Sequence, residues 1–393
     1  MPGKKVKIDL ECIRPNSLFI YPLYSDKDVK ILDERVALTP EKMKNIRERY
    51  GNIVYYIDRG DGAIIPNYRM NIAYHKSREI MEEVYSTDKL SRATYREAEK
   101  VVEEIVTDLN SSEIEAITLL KDLKTHEEYL YNHSVNVGVL AAVFSKMLGR
   151  FSREEIKFIT LGAYLLDIGS MKIDKQLLNK GGKYNITEMQ KVKRHPQLGY
   201  EILKVIPNIN ALVLQTVLFH HEKYNNKGYY NMPYESLPVA PKIVSTCDIY
   251  DALTTARPFR DAVKPSHTLK IMVNLINHNF DYALMSDFIN YLGPLLNNTQ
   301  AFYSKNDICE LNTHELAIIS DFGIHDYLKP KVLVFCKIER RENRLEARFY
   351  ERPIVIDLQN DDTRMISKFI NNHRQIDTIK SKLVQKNIIP QKA

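Results

Sequence analysis

Several apolar segments of this chain run into, or are broken by, a group that water would rather keep. Leu161-Gly162-Ala163-Tyr164-Leu165-Leu166 leads straight into Asp167. The segment Ile209 to His221 closes on two adjacent imidazoles, His220 and His221, and Asp248 interrupts the apolar run Ile243 to Leu253. A polar group buried without a partner costs several kcal/mol, roughly 2–7 depending on the reference state. The fold must therefore give each of them a partner. A single buried histidine is more often a hydrogen-bonded core residue than a ligand. The joint pattern, with His133 and His195 added, changes that reading. Imidazoles and carboxylates are the usual ligands of Fe, Mn and Zn. Facing helices of a bundle build a two-metal site by projecting such side chains inward.

The bulk numbers exclude several classes. The chain has 393 residues, 44% of them hydrophobic, which is ample for a core and suggests two or three domains. Its 56 Lys/Arg stand against 50 Asp/Glu, a net charge of +6. That mixture demands no nucleic-acid polymer, yet it would not repel a small anion. Cys12, Cys247, Cys309 and Cys336 are far apart and form no CxxC pair, so neither a zinc finger nor a disulfide framework is expected. Lys4, Lys5 and Lys7 precede a mixed sequence rather than an apolar signal region, and runs such as Val137 to Phe144 are too short to span a bilayer. The expectation is a cytoplasmic protein with no membrane span.

Three parts are expected. Residues 1–74 form a small N-terminal α/β module, with strands at Val6–Leu10, Ser17–Tyr21, Val29–Leu32 and Asn52–Ile57 and a helix that Thr39-Pro40-Glu41 opens and Gly51 ends. Residues 75–300 hold a helical linker, whose length is compatible with a homodimer, and a helical domain. Within it, Ser134 to Leu148 reads as an amphipathic helix, and Ser152-Arg153-Glu154-Glu155 as a capping box opening the next. Residues 301–393 read as a β-hairpin, Lys331 to Ile338 and Leu345 to Tyr350, followed by a helix from Thr363 to Gln385. The fold class is mainly α.

The order of motifs carries a resemblance. His133-Ser134 is followed by Leu165-Leu166-Asp167-Ile168-Gly169, Leu178-Asn179-Lys180 and His195-Pro196-Gln197-Leu198-Gly199. Then come His220-His221-Glu222, Gly228-Tyr229, Asp248-Ile249-Tyr250-Asp251-Ala252-Leu253 and Arg257-Pro258-Phe259-Arg260. From about 127 to 270 this resembles the HD-GYP family, and the N-terminal segment looks like the α/β module often placed before such domains. The resemblance implies a helical, metal-dependent phosphodiesterase that opens cyclic di-GMP to the linear dinucleotide or GMP. It implies that Asp167 bridges two metals and is the catalytic centre. One metal would also be held by His195, His220 and His221, the other by His133 and Asp248. Arg257 and Arg260 would hold phosphates, where a planar fork suits the oxygens. Gly228 and Tyr229 would lie beside the substrate. Two cations clamp a phosphodiester and acidify a water for in-line attack.

Three departures bear on activity. Leu166 stands where the family has the histidine of its HD pair, so one metal is expected to be firm and the other weak or exchangeable. Ser170 stands where a lysine is usual, removing a cation aimed at the scissile phosphate, a contribution that can dominate catalysis. Tyr230 replaces the proline of the GYP motif, and Asn226 stands where a glycine is common, so a different loop path is expected. Tyr129, four residues before His133, stands where some relatives carry a glutamate for a third metal; it reads as a core aromatic, which leaves two metals at most. Fe or Mn suits the mixed ligand set, and Zn is compatible with it. The alternative function is a catalytically degenerate relative that serves as a cyclic di-GMP receptor or interaction scaffold. A third reading is hydrolysis of a different phosphodiester or of a hybrid cyclic dinucleotide.

Overall fold

The computed structural model describes residues 4–10, 17–18, 22–33, 36–58, 67–111, 126–256, 260–296, 302–323, 326–341, 344–386 and 388. The first strands are β1 (Lys4–Asp9), β2 (Ser17–Leu18), β3 (Leu23–Tyr24), β4 (Lys30–Leu32) and β5 (Ala37–Leu38). Helix α1 (Pro40–Tyr50) and β6 (Ile53–Asp58) follow. Thr39 caps α1, its hydroxyl accepting from the Lys42 N–H at 3.3 Å, and Pro40 fills the first position, where a missing N–H costs nothing. The sheet order is β1-β6-β3-β4, antiparallel throughout, and β2 pairs with β5. Leu10, Leu23, Leu38, Met43, Ile46, Val54 and Tyr56 form the core of this module.

The helical part comprises α2 (Asn67–Thr87), α3 (Arg92–Ser111), α4 (His126–Met147), α5 (Arg153–Tyr164), α6 (Lys175–Leu178), α7 (Ile186–Val192), α8 (His195–Leu203), α9 (Ala211–Phe219) and α10 (Val239–Thr254). A 3₁₀ turn, Ile168–Lys172, joins α5 to α6. The capping box at Ser152 and Glu155 forms as the sequence predicts. Helix α4 differs from its expectation. It starts at His126 rather than Ser134, and it is not amphipathic, since Tyr129 to Phe144 are buried without interruption once past its first turn. A helix packed on all sides keeps no solvent face, so its hydrophobic pattern has no 3.6-residue period to read.

After α11 (Pro265–Val273) and α12 (Tyr282–Leu296) the chain returns to strands: β7 (Ile308–Leu311), β8 (Glu315–Asp321), β9 (Lys331–Arg341), β10 (Arg344–Asp357) and β11 (Ile366–Phe369), then α13 (His373–Gln385). The expected hairpin, β9 and β10, is part of a five-stranded antiparallel sheet in the order β10-β9-β8-β7-β11. The expected helix from Thr363 is corrected: Ile366–Phe369 is an edge strand paired with β7, and the helix starts at His373 behind Asn372, whose side chain caps it by accepting from the Gln375 N–H. Ile376, Ile379 and Leu383 pack on Ile318, Phe335 and Cys336 of the sheet. Asn274 near the end of α11 holds β11 with both ends of its amide, accepting from the Phe369 N–H at 2.6 Å and donating to the Phe369 carbonyl at 3.0 Å.

By packing, the chain forms two compact units, one chiefly Arg59–Lys264 with Asn277–Tyr291, the other chiefly Pro2–Asp58, Pro265–Ile276 and Leu292–Ala393. Among the described residues, no helix is long and apolar enough to cross a membrane.

In the second unit the buried Glu315 accepts from Arg364 Nε at 2.7 Å and from the Tyr350 hydroxyl at 2.8 Å. Burial alone would raise the Glu315 carboxyl, but Arg364, Thr313 and Tyr350 together hold it below its ordinary value. A depressed carboxylate contributes stability that is full above its unfolded pKa, about 4.3, and is lost as pH falls through the folded value. Glu315→Gln should therefore melt below the wild type at neutral pH, and the gap should close as pH falls below about 4. Melting curves of both proteins check this; a gap that does not change with pH would refute it.

Candidate metal centre

Four helices and one turn deliver the titratable residues to a single place in the helical unit. His133 lies within α4. Asp167 follows α5 and heads the 3₁₀ turn without using its carboxylate to cap it. His195 opens α8, His220 and His221 close α9, and Asp248 sits within α10. One contact sets the approach of the turn to α8. A Cβ on Gly169 would stand 2.1 Å from the His195 carbonyl oxygen and 2.3 Å from the Gly199 nitrogen. Only glycine lets the backbone that carries Asp167 lie directly on the first turn of the helix that starts with His195.

The imidazoles are oriented from behind. The Nδ1 atoms of His195 and His220 lie 2.9 Å from the carbonyls of Val192 and Val217. A carbonyl only accepts, so each Nδ1 carries the proton and each Nε2 presents a lone pair. Those Nε2 atoms lie 3.3 Å apart, and His221 Nε2 is 3.2 Å from that of His195. The nitrogens of these three histidines lie within 4.8 Å of one another, close enough to hold one ion. Converging lone pairs repel each other unless a cation lies between them, so this donor set fits a metal. Burial, reinforced by the neighbouring imidazoles, pushes His220 below its ordinary value and His221 well below it. Both are thereby kept in the neutral form that coordinates.

Asp167 divides its two oxygens. Oδ1 lies 3.2 Å from His195 Nε2, and Oδ2 lies 3.8 Å from His133 Nε2. On the second side, His133 Nε2 is 3.0 Å from Asp248 Oδ1, and His133 Nδ1 is 2.7 Å from Asp251 Oδ2. Asp248 Oδ2 reaches back to 3.8 Å from His221 Nδ1. Burial would lower His133, but Tyr129 and the hydrogen bonds to Asp248 and Asp251 outweigh it and raise the group well above its ordinary value. Tyr129 stacks on the His133 ring with centroids 5.2 Å apart, as its reading as a core aromatic requires. Leu166 is wholly buried and brings no donor atom to this side. Ser170 is buried as well, and Lys172 pairs with Asp88 at 3.3 Å rather than standing in for the absent lysine.

Of the residues expected at the substrate, Tyr229 is at the centre, its ring 4.4 Å from that of His221 and tilted by 34°. Lys193 lies over the Tyr229 ring at 5.1 Å. Gly228 is required by space: a Cβ there would lie 2.5 Å from Glu222 Cα. Asn226 replaces glycine without breaking the loop. It takes the left-handed conformation, φ 58°, which asparagine tolerates better than most residues, and its side chain accepts from the Tyr234 N–H. The exposed Arg260 donates to the Ala252 carbonyl. Arg257 lies outside the described residues.

Two residues matter more than the sequence suggested. Glu222 is buried and accepts from the N–H groups of Tyr230 and Met232, both at 2.8 Å, so it pins the loop that carries Tyr229. Asp251 is fully buried and is itself held by Asn136 at 2.8 Å and Thr255 at 2.9 Å. The available signal was helical spacing: Asn136 is three residues after His133, and Asp251 three after Asp248, polar residues on one face of apolar helices. A carboxylate that orients a ligating histidine typically contributes 10–100-fold to metal affinity. Asp251→Ala should weaken Mn(II) binding by about that factor. Competition against a chromophoric chelator measures it, and unchanged affinity would remove Asp251 from the centre.

This geometry can be set beside known proteins. Residues 118–284 match the family model described as HD domain. Over these residues the chain is similar to HD domains. A protein named cyclic di-GMP phosphodiesterase PA4108 from Pseudomonas aeruginosa is 29% identical over 221 residues, 56% of this chain and 51% of that protein. The cyclic di-GMP phosphodiesterase response regulator RpfG from Xanthomonas campestris is 38% identical over 128 residues, 31% of this chain and 33% of that protein. A 3'3'-cGAMP-specific phosphodiesterase from Vibrio cholerae is 27% identical over 168 residues, 42% of this chain and 36% of that protein. The chain thus spans between about a third and half the length of these relatives. These matches bear out the HD-GYP resemblance carried by the sequence motifs.

Proposed function

We propose that this HD-like domain is a metal-dependent phosphodiesterase that opens cyclic di-GMP to the linear dinucleotide or GMP. The observation that carries the reading is the divided carboxylate of Asp167, with Oδ1 toward the His195, His220 and His221 group and Oδ2 toward His133 and Asp248. The names of the relatives point the same way. Two divalent ions, Fe or Mn with Zn also compatible, would be held by these six residues; bound there, they supply the charge that draws a phosphodiester and the acidity that turns water into a nucleophile. Asp167 would serve both ions. Val192 and Val217 keep His195 and His220 in the ligating tautomer, and Asp251 does the same for His133. Tyr229, held in place through Glu222, would cover the His221 side and offer a ring to a base. Gly228 gives that loop its close approach, and the arginines at 257 and 260 would bind the phosphates. With Leu166 and Ser170 in place of a ligand and a cation, turnover is expected to be slow and one metal weak.

The second reading is a receptor that binds cyclic di-GMP without cutting it. It is favoured by Leu166, which leaves the His133 side with three protein donors. Protein loaded anaerobically with Fe(II) or Mn(II) separates the two when incubated with cyclic di-GMP and, in parallel, with 3'3'-cGAMP. Linear dinucleotide or GMP from the first supports the phosphodiesterase. Product from the hybrid alone would change the substrate. Tight binding without product from a folded, metal-bearing protein would establish the receptor.

A further inference from the structure

On the helical unit, a cleft of about 780 Å³ lies among the end of α2, the 3₁₀ turn, α6 and the α7–α8 corner. Its size falls within the range of roughly 300–1,000 Å³ usual for small-molecule sites. It is distinct from the histidine cluster, yet it shares backbone with it. Met171 and Lys172 on its wall end the turn that Asp167 begins, and Arg194 directly precedes His195.

The lining has a definite chemistry. Lys172, Lys175, Lys191 and Arg194 supply four cations against two carboxylates, Asp88 and Asp174. Both acids are engaged: Asp88 pairs with Lys172, and Asp174 caps α6 by accepting from the Gln176 N–H at 2.8 Å. The nearest acid in sequence to Lys191 is Glu188, which Lys180 binds at 2.6 Å and which the Lys191 charge reaches without an ion pair. Lys191 and Arg194 carry no ion pair or hydrogen bond among the described side chains, and both are exposed. Beside them Tyr85 is 53% exposed, with the Lys175 ammonium 3.9 Å from its ring centre. Met171, Ile173, Leu177 and Leu198 add an apolar part to the lining, with Gln176 beside them. Two cations without an ion pair select an anion, and an exposed tyrosine on the same lining offers its ring to a flat base.

We propose that this cleft is a second binding site, one for a nucleoside phosphate. The phosphate lies against Lys191 and Arg194, and the base lies on Tyr85. Because the turn and the start of α8 carry both this site and the Asp167–His195 pair, occupancy here alters metal affinity at the centre, and metal alters nucleotide affinity by the same factor.

The probe is radiolabelled GMP, added by equilibrium dialysis to the full chain stripped of metal with EDTA, so the result is independent of any hydrolysis. The expected result is saturable binding of one GMP per chain, weakened about tenfold or more by Lys191→Glu with Arg194→Glu, the loss anticipated when charge-assisted hydrogen bonds are removed. Tyr85→Ala should weaken GMP several-fold and leave inorganic pyrophosphate unaffected. All three positions are exposed, and circular dichroism verifies the fold of each variant. Absence of saturable binding, binding indifferent to the charge reversal, or binding lost instead in His221→Ala would overturn the site. A single-stranded oligonucleotide that outcompetes GMP through the same residues would overturn the ligand class.

Discussion

Asp167→Ala is expected to reduce turnover of cyclic di-GMP by about 10³-fold or more, the scale on which removing one member of a catalytic unit acts. Its carboxylate faces both halves of the centre: Oδ1 lies 3.2 Å from His195 Nε2, and Oδ2 lies 3.8 Å from His133 Nε2. Loss of the carboxylate leaves His195, His220 and His221, whose Nε2 atoms still converge, so one metal should remain with reduced affinity. The opposite side would keep only His133 and Asp248, too few donors for a firm site. Elemental analysis after dialysis should therefore fall from two metals per chain, or one and a fraction if the Leu166 side is weak, to one or less. A variant that keeps both its metal content and its turnover would show that Asp167 does not join the two halves.

Asp167, Asp248 and the His220-His221 pair were legible because each contradicts its own segment, whereas His133 and His195 were legible through the order of motifs that resembles the HD-GYP family. Asp167 behind six mostly apolar residues, or Asp248 inside α10, makes no sense in a helix that merely fills a core. The order of residues alone exposes that energetic problem. Glu222 was harder, since its polar segment asks for no particular partner, and Asp251, although it interrupts the same apolar run as Asp248, does not by itself say which partner it needs. Asp251 gains its meaning from Asn136 and Thr255, and Glu222 from the backbone of Tyr230 and Met232. Those partners are brought by the fold and not by sequence spacing alone. The strand β11 was hidden for another reason. Met365, Ile366, Phe369 and Ile370 have the spacing of a helix face, and pairing with β7 overrides that local pattern. The cue that would have moved the helix start was Asn372, which caps α13. The basic cleft leaves no trace in the sequence. Lys172, Lys175, Lys191 and Arg194 are scattered through helix ends, where each reads as an ordinary solvated charge.

Gly169→Ala should produce the largest loss of stability from the smallest change. The added carbon would meet the His195 carbonyl oxygen at 2.1 Å and the Gly199 nitrogen at 2.3 Å, both backbone atoms of α8 that cannot rotate aside. The turn and the helix must separate, and overpacking of this kind typically costs about 1–3 kcal/mol and occasionally more. For a domain of this size that lowers the melting temperature by several degrees, about 2–4 °C per kcal/mol. The separation also moves His195 away from Asp167, so metal affinity should fall with stability. Gly138→Ala is the control: it makes the same chemical change within α4, where the new carbon would meet its nearest neighbour, Tyr164 Cβ, at an ordinary 3.6 Å. Alanine's better helix propensity, worth up to about 1 kcal/mol, should leave that variant as stable as the wild type or slightly more so. Thermal melts of both variants with and without Mn(II) distinguish the two effects. If Gly169→Ala melts with the wild type and gains as much from Mn(II), the contact does not hold His195 in place. If it melts early and gains little from Mn(II), the glycine is what lets the backbone of Asp167 and the start of α8 share one metal centre.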